Sequence, residues 1–150
     1  MNTSSYKDFT TQTTYGNNEI KCNTFQNEGT LTSSYGKLDI SANEFNNNGK
    51  FEVEYFSSNT SITCNNFSNE MPGEIKANND VTINCNSDFN NNGQIVSNME
   101  GVAIPEYNIK ASSMDISANN VYNNNTGIIY NKSKDDNPIN INAQEGVVNA

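Results

Sequence analysis

One phrase recurs in six copies along the chain: an Ile two residues before a Cys or an Ala, followed in five of the copies by an aromatic residue, an Asn and a Gly in that order. The first four copies run Ile20, Cys22, Phe25, Asn27, Gly29; Ile40, Ala42, Phe45, Asn47, Gly49; Ile62, Cys64, Phe67, Asn69, Gly73; and Ile83, Cys85, Phe89, Asn91, Gly93. Two looser copies follow at Ile116, Ala118, Tyr122, Asn124, Gly127 and at Ile141, Ala143, Gly146. Successive Ile residues are 20, 22, 21, 33 and 25 positions apart. A unit of about twenty to thirty residues cannot enclose a core of its own, so each copy must bury its apolar side against its neighbours. The expected product is a solenoid of stacked coils.

That constraint overrides what composition alone suggests. Hydrophobic residues make up 33 % of the chain and charged ones 17 %, and about one residue in five is Asn. Scattered at random, so little apolar surface would not offset about 1–2 kcal/mol of backbone entropy per residue. Here Ile and Phe recur in register and can stack into ladders, which a disordered tract cannot do.

Residues 38–49 show the grammar of one turn. Leu38, Ile40 and Ala42 alternate with Asp39, Ser41 and Asn43, the period-two rhythm of a strand with one buried face. Phe45 reads as the corner, and the run of Asn46, Asn47, Asn48 and Gly49 reads as a bend, because Asn and Gly both tolerate positive φ. Phe51, Val53 and Tyr55 restart the alternation, and a polar bend at 57–60 precedes Ile62. Ile75 and Ala77, the bend at 78–80, and Val81, Ile83 and Cys85 repeat the scheme, as do Leu31 and Ser33, the bend at Tyr35 and Gly36, and Leu38. Tyr15, Tyr35 and Tyr55, and likewise Gly16 and Gly36, keep the same spacing, so the repeat should begin before Ile20. About six turns at about 4.8 Å each give a rod roughly 30 Å long. Phe should stack on Phe and Ile on Ile, with Asn side chains at equivalent positions forming amide ladders. The stretch 98–114 breaks the rhythm and reads as an insertion or irregular turn, where a rigid scaffold could carry binding residues. The whole of 1–150 reads as a single β-helical segment, expected to belong to a longer array.

Cys22, Cys64 and Cys85 fill the slot that Ala42, Ala118 and Ala143 fill elsewhere, which calls for a small inward side chain. Cys64 and Cys85 fall on neighbouring turns, where parallel strands keep side chains slightly too far apart for a relaxed disulfide, so buried free thiols are expected. With no His and no paired CxxC spacing, no metal or cofactor site is assigned. Net charge is −9 and the eight basic residues are dispersed, which disfavours nucleic acid as a partner. No apolar run is long enough to span a bilayer, and residues 1–14 lack the apolar core of an export signal.

The segment 77–95, ANNDVTINCNSDFNNNGQI, resembles the haemagglutinin repeat of filamentous haemagglutinin, and residues 41–51 and 17–31 fit the same template. In that family a small residue and a Gly- or Asn-rich bend precede alternating apolar residues, then come a small residue, a large apolar one, Asn-x-Gly and Ile. The resemblance covers 17–97 well and 114–146 loosely. It departs in using Asn for bend Gly, Phe for Leu and Cys for Ala or Ser. It implies an all-β fold, a right-handed parallel β-helix. It also implies a structural stalk within a secreted or surface-displayed two-partner-secretion exoprotein, an adhesin or a contact-dependent growth-inhibition toxin. Such a stalk would meet a receptor or glycan on a host or neighbouring cell, and an outer-membrane transporter during secretion. No catalytic residue belongs to the repeat, and the chain is not expected to be an enzyme.

Three other readings compete. A leucine-rich repeat fits Leu38-x-Ile40-x-x-Asn43-x-Phe45, but its convex side needs a helical or Leu-bearing half, and only Leu31 and Leu38 are present. A β-helix carbohydrate-active enzyme or tailspike-like hydrolase needs converging carboxylates, and Asp39, Glu52, Glu54 and Asp115 are scattered. An ice-binding solenoid needs a regular Thr array. The outward pairs here are Asp39/Ser41, Ser61/Thr63, Thr82/Asn84, Asp115/Ser117 and Asn140/Asn142, which are polar but irregular.

Overall fold

A computed structural model of the chain describes residues 5–6, 18–33, 36–54, 59–97, 113–132 and 139–150. These residues form strands and bends, with no helix among them. Every strand pairs in parallel with the equivalent strand of the next turn, so the fold is the expected parallel β-solenoid. The described residues complete five turns where about six were expected, with one further long strand stacked on the fifth.

Each turn builds three walls. In the second turn β4 (Leu38–Asn47) supplies two walls and β5 (Lys50–Val53) the third. The first half of β4 pairs with β6 (Thr60–Cys64) and its second half with β7 (Asn66–Asn69), so the long strand turns a corner at Asn43. The same division holds for β2 (Asn18–Asn27) and β3 (Thr30–Ser33), and for β9 (Val81–Cys85), β10 (Asp88–Asn91) and β11 (Gln94–Ser97). It recurs in β12 (Met114–Asn123) and β13 (Ile128–Asn131), while β8 (Glu74–Ala77) is the third wall of the third turn and β14 (Ile139–Asn149) is the last long strand. The first two walls form one nine-stranded sheet and the third wall a five-stranded one. β1 (Ser5–Tyr6) lies alongside Thr24 and Phe25, so the stack does begin before Ile20.

The core consists of columns parallel to the axis. Ile20, Ile40, Ile62, Ile83, Ile116 and Ile141 form one continuous register. Phe25, Phe45, Phe67 and Phe89 form a second, with ring centroids 4.8, 5.0 and 4.6 Å apart and planes within 9° of parallel. Leu31, Phe51, Ile75, Ile95 and Ile129 make the third column. A fourth, polar column lies inside the wall: Asn47, Asn69 and Asn91 are 0 % exposed, as buried as the rings beside them. Each donates through Nδ2 to Oδ1 of the next rung, from Asn27 to Asn47, Asn69, Asn91, Asn123 and Asn149 at 2.7–2.9 Å. The amides also reach main-chain carbonyls, as Asn47 does to Gly49 and Glu74. This satisfies a group whose burial would otherwise be costly.

Three expectations need correction. Phe45 and its equivalents lie within the second wall, just past the corner; the corner itself is Asn43 or its counterpart. Asn47 ends a strand and points inward, so the bend is only Asn48 and Gly49. In the fifth turn Val121 and Asn123, not Tyr122 and Asn124, occupy the ring and amide slots, because Phe89 pairs with Val121 and Asn91 with Asn123. Tyr122 faces Asn90 instead, on the outer surface of the sheet. The Tyr15, Tyr35 and Tyr55 series, Gly16, residues 57–58 of the 57–60 bend and residues 98–112 of the 98–114 stretch lie outside the described residues. Met114 resumes the first wall directly opposite Val81.

In the bends between second and third walls the glycine positions leave no room for a side chain. A Cβ on Gly49 would overlap the carbonyl oxygen of Gly29, and one on Gly93 that of Gly73. These glycines are required by close backbone approach between rungs. Gly36, at φ 89°, is instead required by its own backbone conformation.

Candidate functional site

With the inward positions occupied by core columns, any recognition chemistry on the described residues falls to the outer rows. Two rows run along the first wall. One reads Glu19, Asp39, Ser61, Thr82, Asp115, Asn140 and the other Lys21, Ser41, Thr63, Asn84, Ser117, Asn142. The expected outward pairs therefore do lie side by side, about 4.8 Å apart along the axis.

Charge is arranged differently on each wall. On the third wall Lys50 and Glu52 pair at 2.8 Å and Lys76 and Glu74 at 2.7 Å, while Lys50 faces Glu74 and Glu52 faces Lys76 across the rung. Glu52, by hydrogen bond and by charge, raises the Lys50 pKa. On the second wall and in the bend that follows it, carboxylates are spaced by amides instead. Asn66 donates to Glu44 at 2.9 Å, Asn120 to Asp88 at 3.0 Å, and Asn92 to Glu70 at 2.7 Å. Both arrangements avoid stacking like charges at the strand spacing, where repulsion would be strongest.

The four carboxylates considered for catalysis are not brought together. Asp39 and Asp115 share a row but are three rungs apart, roughly 14 Å, beyond the roughly 5–9.5 Å of a glycosidase pair. Asp39 is held by Lys37 at 2.8 Å, and Asp115 accepts from Asn140 at 2.6 Å. Glu52 projects from the third wall, followed by Glu54 just beyond its end.

The corner between first and second walls is concave. A groove of about 280 Å³ follows it, lined by Cys22, Ser41, Asn43, Thr63, Cys64 and Asn65 among others. A second of about 350 Å³ continues past Cys85, Ser117 and Ala118. A ladder of exposed amides edges the first groove: Asn43 donates to Asn23 at 2.6 Å, Asn65 to Asn43 at 3.3 Å and Asn86 to Asn65 at 2.9 Å. Sequence reasoning passed over this outer ladder. Its signal is the Asn that directly follows the Cys/Ala slot in five of the copies: Asn23, Asn43, Asn65, Asn86 and Asn119.

The three cysteines are free thiols; Cys64 and Cys85 are buried and Cys22 only half-buried. Cys64 and Cys85 sit opposite each other with their sulfurs 3.5 Å apart. The hydrogen bond to Cys64, and then burial, push the Cys85 thiol well above its ordinary pKa, and burial pushes up Cys22. Among the described residues no three His, Cys, Asp or Glu side chains gather as a metal cluster, and no helix is long and apolar enough to cross a membrane. Comparison with family models, with curated proteins and with solved structures gives no match for this chain.

Proposed function

We propose that the chain is a structural segment of a β-helical rod, carried by a secreted or surface-displayed exoprotein of the haemagglutinin-repeat type. Its work is reach and surface contact, with no chemistry of its own. The observation that carries this reading is the unbroken Ile column from Ile20 to Ile141 beside the amide column that runs from Asn27 to Asn149 and is buried as far as Asn91. Backbone and side-chain hydrogen bonds both run along the axis, so stiffness lies in the direction a stalk needs it. The outer rows change from rung to rung, which suits contact with a receptor or glycan of a host or neighbouring cell better than a repeated lattice. Passage through an outer-membrane transporter belongs to the same reading.

The test is to raise antibodies against the purified chain and probe intact and permeabilised producing cells, with protease shaving as the second readout. Labelling of intact cells that shaving removes is expected. Signal confined to permeabilised cells would refute the surface assignment.

A further inference from the structure

We propose that Cys64 and Cys85 form a binding site for a soft, thiophilic cation that accepts two ligands. Two kinds of bond could join a thiol pair held 3.5 Å apart on adjacent rungs. A disulfide needs Cβ atoms about 3.5–4.5 Å apart, whereas parallel strands in register hold equivalent side chains near the strand spacing of about 4.7–4.9 Å. A cation between two opposed thiolates separates the sulfurs by two metal–sulfur bonds, about 4.6 Å if each is near 2.3 Å. That separation matches the rung spacing. To reach it the two sulfurs need part by only about 1 Å from their 3.5 Å approach.

Ligand number and charge narrow the ion. A tetrahedral ion such as Zn(II) wants four ligands, and no cluster of even three His, Cys, Asp or Glu residues is present among the described residues. Soft thiolates select soft cations. On binding, both S–H bonds break, two sulfur–metal bonds form and two protons leave to solvent. With a divalent ion the complex is neutral, so no net charge is buried with the two sulfurs. Access exists at both ends of the pair, since one corner groove reaches Cys64 and the other Cys85. Cys22 supplies an internal control, because its partner on the next rung is Ala42 and not a thiol.

The experiment titrates the reduced full chain with Hg(II) against an excess of a small monothiol, then measures metal retained after gel filtration. One equivalent should be retained by the unmodified chain and by Cys22→Ala. Cys64→Ala and Cys85→Ala should each lose roughly 100-fold or more in affinity, because the second thiolate acts at high effective concentration. Ala fills this same slot at positions 42, 118 and 143, so both variants should fold, with the β-sheet circular dichroism of the parent as the check. Zn(II) should not be retained. Equal retention of Hg(II) by Cys64→Ala, or retention of Zn(II) that depends on both thiols, would overturn the two-coordinate site.

Discussion

Replacing Asn69 by Ala tests whether the buried amide column holds the rungs together or merely occupies space. Asn69 is fully buried, accepts from Asn47 at 2.8 Å, and donates to Asn91 Oδ1 at 2.8 Å and to the Gln94 carbonyl at 3.3 Å. Its loss strips Asn91 Oδ1 of that donor, leaving a buried acceptor unmet at about 1–3 kcal/mol. Asn47 loses one of three acceptors but keeps the carbonyls of Gly49 and Glu74, a smaller penalty of about 0.5–1 kcal/mol. The vacated amide volume adds about 1 kcal/mol more. Together these predict a loss of about 2.5–5 kcal/mol, read as a fall of about 1.3–2.5 M in the urea midpoint if m is near 2 kcal/mol/M. Asn43→Ala, on the exposed outer ladder, should cost less than about 1 kcal/mol and serves as the comparison. Asn69→Asp adds a sign test. A buried carboxylate cannot donate to Asn91, so its pKa should rise above the unfolded value of about 3.9. The folded state then binds more protons than the unfolded one, and stability falls as pH rises through that window and recovers on acidification. A loss below about 1 kcal/mol for Asn69→Ala, or an Asn69→Asp variant insensitive to pH between about 4 and 7, would refute the reasoning.

Further outcomes are expected. Phe67→Ala removes a ring stacked between Phe45 and Phe89 and should cost about 3–5 kcal/mol by equilibrium denaturation; a loss under about 1 kcal/mol would mean the ring is not internal. Gly93→Ala forces a Cβ onto the Gly73 carbonyl and should destabilise by more than about 2 kcal/mol, measurable as a fall in melting temperature. Deleting residues 38–59, one whole repeat, brings Asn18–Asn27 onto Thr60–Asn69 with Ile on Ile and Phe on Phe. That shortened chain should retain a cooperative transition and a β-sheet circular dichroism spectrum; loss of either would refute the repeat as the stacking unit.

The sequence made the stack legible because its inward residues are chemically distinctive. Ile in one column and Phe in another could be paired by eye, and the register of four rungs followed. The Asn residues were harder, because an amide that ends a buried ladder and an amide that turns a bend are written with the same letter. Asn47 and Asn48 are neighbours in a run of three, and only the rung above decides which of them points inward. The fifth turn failed for a related reason. Aromatic character favoured Tyr122, but the interval of five residues from Ile to ring, kept from Ile40 to Phe45 and from Ile62 to Phe67, lands on Val121. Depth in a core is set by register first and side-chain type second. The thiol pair was half legible. Its place on adjacent rungs follows from the repeat, whereas its 3.5 Å approach depends on side-chain torsions that no spacing encodes.

Length variation in this solenoid is concentrated on one edge. Between the third wall and the next first wall the chain uses three residues, 78–80, in one turn and sixteen, 98–113, in the next. Ile62 nevertheless pairs with Ile83, and Ile83 with Ile116. The bends between second and third walls vary only from two residues, as at 48–49, to four, as at 70–73, and their glycines touch backbone one rung away. The molecule is therefore permissive along one seam and strict along another. Foreign peptides grafted into 78–80 would be displayed from a frame whose rungs need not shift, and several such seams in line would present them at multiples of a single fixed spacing.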